Sequence, residues 1–430
     1  MDVTAEAAYD AVIVGASAAG CTAATLYARQ GLKVALVERE SSPDYYKKIC
    51  NHFIQPFAVH TFKRLGMVDA LEAAGALRNG DIRVYTRWGL IHATPDSRST
   101  HQPYGYNIRR LKLDPILRAM AAGTAGVDFM PGLTARQLLA DKGRFSGVVL
   151  DNKQGQTQEI RARLVVGADG RNSRIAAASG VRTNVKPNNR FCYYAYYVNF
   201  SFPSQMIWFN EPDWIYAFPN DDGVTVLCSY IHKSRLPDFK RDLKTSFRRL
   251  YEGLPDGPRF DGVEQITETR GMLEIPNISR RAGHPGLALI GDAALAVDPM
   301  WGTGVSFALR SAEWLVDCTA QALLDGGGPV QVDRALQAYA QKHRAGLGGH
   351  AFQIADYSTG RGLNPIEKQF FMAAVHDQVT ARHFAEFEGR NISLTQFLAP
   401  KAIARAVWVN LLRGRGASSD IVRQQSAISE

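Results

Sequence analysis

The chain has 430 residues, enough for two or three structural regions around a large core. Hydrophobic residues make up 46% and charged residues 21%, a globular balance that excludes a disordered or collagen-like chain. The net charge of +9 favours anionic ligands, but no nucleic-acid motif accompanies it and the basic residues are not blocked into tails, so nucleic acid is not an expected partner.

The start, "MDVTAEAAYD", has acids, no basic residue and no apolar stretch, so no secretory leader is expected. No run of eighteen apolar residues predicts a membrane span. Five scattered cysteines (Cys21, Cys50, Cys192, Cys228, Cys318) fit reduced thiols and a cytoplasmic location better than a disulfide framework. None has CxxC spacing, so no metal site is expected.

The first organised segment is "YDAVIVGASAAGCTAATLYARQGLKVALVERE". Its pattern predicts a strand over Ala11–Val14, a glycine turn, a helix from about Ala19 to Gln30 closed by Gly31, and a strand from Leu32 to Val37. Gly15, Ser17 and Gly20 form G-x-S-x-x-G, a variant of the dinucleotide-binding turn with serine where backbone approaches a pyrophosphate. The helix start, Ala18 and Ala19, offers unpaired amides to an anion. Glu38 and Arg39 close the second strand, where an acid meets ribose hydroxyls. These residues are the expected dinucleotide contacts.

Next comes "KKICNHFIQP", with Lys48, Cys50 and His52 in one loop. Two neighbouring ligand types do not complete a metal set. A helical stretch near Phe57–Ala74 and another from Leu113 follow. Strand signals dominate from Phe145 to Ala168 and through "FCYYAYYVNFSF", "MIWFNEPDWIYAFP" and "GVTVLCSYI". Trp214, Tyr216 and Phe218 alternate, so they share one strand face; with Trp208 they are candidate walls of an aromatic substrate pocket. "GLALIGDAALAV" returns to strand, loop and helix, and after "LLDGGGPV" the chain reads mostly helical. "IADYSTGRGLNPIEKQFF" is a candidate pocket wall or lid. In "APKAIARAVWVNLLRGRG", Ile403, Val407 and Leu411 share a face; a helix packed on the protein is expected over a membrane contact.

Three motifs carry a family resemblance. "VVGADGRNSRI" (165–175), "LIGDAALAVDPMWGTGVSFAL" (289–309) and "RRLKLD", in which Arg110 precedes Asp114 by four, stand in the order seen in FAD-dependent aromatic hydroxylases. The chain resembles the group A monooxygenase superfamily, which also holds flavin halogenases and geranylgeranyl-reductase-like flavoproteins. The resemblance implies an α/β fold: a Rossmann-like FAD-binding domain (1–75, 102–180, 266–330) interrupted by a β-sheet substrate domain (76–101, 181–265), with a helical C-terminal region (331–430). It implies FAD held also by Arg110, Asp169, Gly170, Asp292 and the loop Pro299, Gly302, Thr303, Gly304 and Val305, whose amides stabilise charge on the reduced ring. NADPH or NADH is the implied reductant, directly or through a flavin reductase, with O2 as co-substrate. An aromatic or polycyclic small molecule, free or on a carrier protein, is the implied substrate.

The loop with Lys48 and Cys50 resembles the K-x-C-G element of the reductase-like branch, with Asn51 for glycine. The resemblance implies that Lys48 and Cys50 contact the cofactor, Cys50 as a small neutral wall rather than a nucleophile; the catalytic group is unassigned, with His52 and Cys50 as its candidates. In halogenases a lysine carries the oxidant; Arg78 stands at the best-matching place here, and a guanidinium is a poor carrier. The W-x-W-x-I-P element of halogenases is only partly matched by "WIYAFP". Hydroxylation or epoxidation is therefore expected, with natural-product biosynthesis implied by the resemblance alone; halogenation, alkene reduction and non-enzymatic flavin binding remain open.

Overall fold

A computed structural model describes residues 8–426, with side chains through Arg413; the segment 1–7 and the side chains 414–430 lie outside the described residues. The leader expectation rests partly on that segment. The central sheet holds five parallel strands in the order Leu287–Leu289, Thr157–Gly167, Tyr9–Val14, Val34–Glu38 and Val127–Pro131. Its middle strands are continuous apolar runs because both faces are covered, the signature of a parallel sheet. The helix Ala18–Ala28 is buried all round, lying between this sheet and the long helix Gly304–Leu324.

A second sheet runs Glu264–Gln265, Arg190–Val198, Thr225–His232, Asp213–Pro219, Gln205–Asn210, Ile82–Thr86, Gly89–His92. Arg270–Met272 also pairs with Arg190–Val198, so this sheet extends beyond the expected border at 265. Side chains alternate between its two faces. One face carries Tyr194, Phe209, Trp214, Tyr216 and Phe218 toward the flavin-type domain and the C-terminal helices. The other carries Phe191, Met206, Trp208 and Ile215 against Phe239 and Phe247 of two short helices.

The helical C-terminal region divides its packing between the two cores. Helix Pro329–Tyr357 inserts Val332, Leu336, Tyr339, Leu347 and Ile354 into the first core. Helices Pro365–Ala374, Gln378–Glu388 and Leu394–Phe397 press Phe370, Phe371, Phe384, Phe387 and Phe397 onto the aromatic face of the second sheet. Each starts on a side-chain cap: Asn364 and Ser393 form capping boxes, and Asp377 accepts from Thr380 N. Helix Pro400–Ser426 packs on this group, with Ala406 buried, Arg405 paired with Asp377 at 2.7 Å and Asn410 bonded to Gln369. Among the described residues no helix is long and apolar enough to cross a membrane.

Candidate active site

The parallel strands all deliver their carboxyl ends to one groove, where open α/β sheets hold ligands. Gly15 follows the strand Tyr9–Val14 at φ +108°, and a Cβ there would lie 2.5 Å from the Ala168 carbonyl oxygen. Gly20 is as constrained: its Cβ would meet the Gly15 carbonyl oxygen at 1.8 Å. The two motifs, far apart in sequence, thus close on each other because the first turn carries no side chain at Gly15 or Gly20. Glu38 ties turn to strand end, accepting from Ala16 N at 2.8 Å and Glu40 N at 3.0 Å. Arg39 lies outside, exposed and paired with Glu40. Asp169 accepts from Ser173 Oγ, Arg174 N and Ile175 N, so its carboxylate shapes the turn and caps the next helix, while Gly170 takes φ +83°.

Arg110 links three segments. Its side chain donates to Asp114 at 2.6 Å and to Ser17 Oγ at 2.8 Å, while its backbone N–H donates to His52 Nδ1 at 3.1 Å. Asp114 also accepts from Lys47 N at 2.9 Å. One residue earlier than expected, it is Lys47 rather than Lys48 that reaches the groove: its ammonium pairs with Asp292 at 3.1 Å. Lys48 is exposed, and its carbonyl accepts from Tyr194 Oη. Burial works against charge on Asp292, but Lys47, Arg171 and Arg110 hold its carboxyl below the usual range.

His52 is buried, at φ +61° in the left-handed region, and both ring nitrogens are used: Nδ1 accepts from Arg110 N and Nε2 meets Tyr196 Oη at 2.5 Å. Burial, with Arg110 and Arg109 behind it, lowers its pKa to about 3. The imidazole is therefore neutral at working pH and its electron pair is spent, which leaves it positioning the loop rather than taking a proton. Cys50 sits within electrostatic reach of Arg110, and its sulfur accepts from His52 N at 3.3 Å.

The loop with Pro299, Gly302 and Thr303 is held from all sides. Buried Asp298 accepts from Met300 N and Asn188 Nδ2, both at 2.9 Å, and lies 3.6 Å from buried Arg190. Asn51 donates to Pro299 O, Gln55 to Trp301 O, and Tyr216 Oη to Met300 O. Gly302 has φ +62°, and a Cβ there would press on Phe53 at 2.9 Å. Helix Gly304–Leu324 starts here without a side-chain cap, as does helix Ala18–Ala28, and the two pack together across Gly291, whose Cβ position lies 3.1 Å from Ala19 and 3.4 Å from Ala308. The hydroxyl of Thr303 is buried with no partner among the described residues.

Beyond this loop opens a cavity with ≈ 840 Å³ of empty space, its mouth included. Trp301 and Trp214, their rings 5.1 Å apart, line it together with Tyr357, Phe371, Phe384 and Phe387. Of the expected aromatic strand residues only Trp214 reaches it, whereas the stretch expected as a pocket wall or lid, 354–371, lines it with Asp356, Tyr357, Arg361, Glu367, Phe370 and Phe371. Tyr216 holds the loop from behind and Phe218 stacks near Phe53 at 5.1 Å. Trp208 pairs with Ile215 in the sheet register, so it faces the opposite side, donating to Pro255 O. Arg78 is exposed, bonded to Glu72 at 2.8 Å and stacked on Tyr104, away from the cavity. Glu388, also in the lining, went unread in sequence, although Phe384 and Glu388 are four apart and so share a helix face.

The family described as FAD binding domain matches residues 8–239, more than half of the chain. The chain belongs to this family. It is 27% identical to digeranylgeranylglycerophospholipid reductase 2 of Methanothermobacter thermautotrophicus over 79% of this chain and 84% of that one. The fold superimposes on the flavin-dependent brominase Bmp2 with TM-score 0.73 at 18% identity, covering 97% of this chain and 99% of that chain. It also superimposes on p-nitrophenol 4-monooxygenase PnpA of Pseudomonas putida DLL-E4 with TM-score 0.70 at 19% identity, covering 89% and 98%. The chain is thus a flavoprotein of the group A superfamily, among FAD-dependent oxidoreductases. The groove fits such a cofactor: the uncapped N-terminus of helix Ala18–Ala28 favours a pyrophosphate, that of helix Gly304–Leu324 favours negative charge on a ring, Asp292 offers an acceptor, Thr303 an orphan hydroxyl, and the glycines leave room for a flat ring.

Proposed function

We propose that the protein is an FAD-dependent monooxygenase that hydroxylates or epoxidises an aromatic or polycyclic small molecule, with NADPH or NADH as reductant. The observation that carries this reading is the aromatic cavity whose wall, Trp301, belongs to the same loop as Gly302 and Gly304. Bound FAD supplies the activation of O2 once reduced. The chain's own part is to hold it and to aim the substrate. Gly15, Ser17, Ala18, Ala19 and Gly20 bring backbone to the pyrophosphate, Glu38 receives ribose hydroxyls, and Asp292 receives the ribitol. Arg110 fixes Ser17 and the Cys50 loop in one geometry. The first turn of helix Gly304–Leu324 directs its amides at negative charge on the reduced ring. Trp214, Trp301, Tyr357 and the phenylalanines exclude water and clamp a flat ring.

Among the described residues no lysine lines the cavity, which speaks against a channelled haloamine and for direct oxygen transfer. The test is oxygen uptake and NADPH oxidation by FAD-loaded protein over a panel of phenols, indoles and polycyclic ketones. Substrate-stimulated uptake with a product that has gained a single oxygen atom is expected. Alkene reduction under anaerobic conditions, with no oxygenated product in air, would move the protein to the reductase branch.

A further inference from the structure

Three acids line the aromatic cavity: Asp356, Glu367 and Glu388. Two of them are engaged. Arg361 donates to Asp356 at 2.8 Å and grips Glu367 with two parallel bonds of 2.7 Å. Glu388 is different. Only 9% exposed, it makes no hydrogen bond and no ion pair among the described residues. Its neighbour in sequence, Phe387, and the residue one turn before, Phe384, are both cavity walls. Its position is adverse to charge: it is the last residue of helix Gln378–Glu388, where the carbonyl ends of the helix repel an anion. Arg390 does not neutralise it by contact, since that guanidinium lies over the rings of Trp301 and Phe387 at 5.3 Å and donates to His350.

A buried carboxyl in an aromatic box costs stability unless something pairs with it. Two further polar atoms of the same lining have no partner: the indole N–H of Trp301 and the amide oxygen of Gln353. The lining therefore offers two unfilled acceptors and one unfilled donor set among hydrophobic rings, the pattern of a specific ligand pocket.

We propose that Glu388 is the specificity-determining residue of this cavity, accepting a hydrogen bond from a ring N–H or phenolic O–H of an aromatic substrate. The substrate class is then an electron-rich ring carrying its own donor, of the pyrrole, indole or phenol kind. In binding, the N–H or O–H bond stays intact and points at a Glu388 oxygen. If the heteroatom gives up its proton as the ring is attacked, the O–H bond forms on Glu388 and the electron pair remains on the heteroatom. A ring without a donor leaves the carboxyl buried and unpaired, which is how a polar site rejects an isostere. This inference rests on the cavity being the substrate site of the reaction proposed above.

The test is calorimetric titration of FAD-loaded protein with indole and with benzothiophene, which has the same shape but no donor. Wild type is expected to prefer indole, and Glu388→Leu to shift the indole-to-benzothiophene affinity ratio by about tenfold or more toward benzothiophene, without weakening benzothiophene binding. Glu388→Gln keeps an acceptor oxygen and should retain part of the preference. Binding of both probes alike by wild type, binding of neither, or a ratio unchanged in Glu388→Leu overturns the proposal. Should Glu388→Leu fail to fold, wild type and Glu388→Gln still decide. Because the titration needs no turnover, discrimination without substrate-driven oxygen uptake would sink the monooxygenase reading and leave Glu388's role standing; uptake without discrimination would do the reverse.

Discussion

At the scale of single residues, the part-buried Asp292 and the buried Glu388 are two carboxyls whose surroundings push them in opposite directions. Lys47 and two arginines keep Asp292 ionised despite burial, so it is fit to accept ribitol hydroxyls. Asp292→Ala is expected to weaken FAD retention by about 1–3 kcal/mol, read as the FAD content of the purified protein and its dissociation constant. Normal FAD binding in that variant would show that the ribitol lies elsewhere. Burial raises Glu388 from 4.5 to about 7, with Arg390 pulling the other way. Across the cavity, Asp356 and Glu367 are matched by Arg361, and Tyr357 is neutral, its phenol raised by burial. A carboxyl with a higher pKa in the folded state holds its proton more tightly when folded. Its favourable term is therefore present at low pH and lost as pH climbs from about 4.5 to about 7, a fall on the order of 3 kcal/mol. Glu388→Gln carries no such term. Urea unfolding at pH 5 and pH 8 should show a shallower loss in Glu388→Gln than in wild type, and equal losses would count against an unpaired Glu388.

At the scale of elements, the close approach of turn and sheet leaves no room for any Cβ at Gly15. Its φ of +108° disfavours L side chains, and the Ala168 carbonyl would lie 2.5 Å from the new atom. Gly15→Val is expected to abolish flavin binding and to lower the melting temperature, since the clash is with backbone; a yellow, normally stable variant would refute this. The same βαβ unit was legible in the sequence: the helix expected from Ala19 to Gln30 spans Ala18–Ala28, and the strand expected at Ala11–Val14 begins at Tyr9. A parallel strand buried on both faces and a glycine-rich turn are local signals. The helix expected from Leu113 begins three residues earlier, at Arg110, and carries Pro115 in its second turn at the cost of one backbone hydrogen bond. What escaped was non-local. The face on which Trp208 lies follows from its register with Ile215, and no alternation within its own strand tells which face meets the flavin side. The wall formed by 354–371 was legible as a candidate, but its meeting with Trp214, Trp301 and helix Gln378–Glu388 was hidden for the same reason.

At the scale of the whole molecule, flavin groove, sheet and C-terminal helices meet at one loop, and the distribution of lysines around that meeting point separates two chemistries. Halogenation with a channelled oxidant needs an amine that is desolvated and near the substrate, so that it can be nucleophilic at neutral pH. Lys47 is paired with Asp292 in the cofactor groove, Lys48 is exposed, and Arg78 is bonded to Glu72 on the surface. Among the described residues the cavity lining has Arg361 as its one cationic side chain, and that guanidinium is bound to Asp356 and Glu367. Bromide added to enzyme, FAD, NADPH, a flavin reductase and an indole or phenol should therefore change neither the product nor its rate of formation beyond a general salt effect. Mass spectrometry decides the point: a product heavier by an oxygen atom is expected, whereas a bromine isotope pair that disappears when enzyme is omitted would mean that a freely diffusing or differently held oxidant does the work. Lys47→Met sharpens the comparison. If bromination occurred and Lys47→Met abolished it at full FAD occupancy, the pairing with Asp292 would have to open during turnover, and the groove rather than the cavity would be where the oxidant is held.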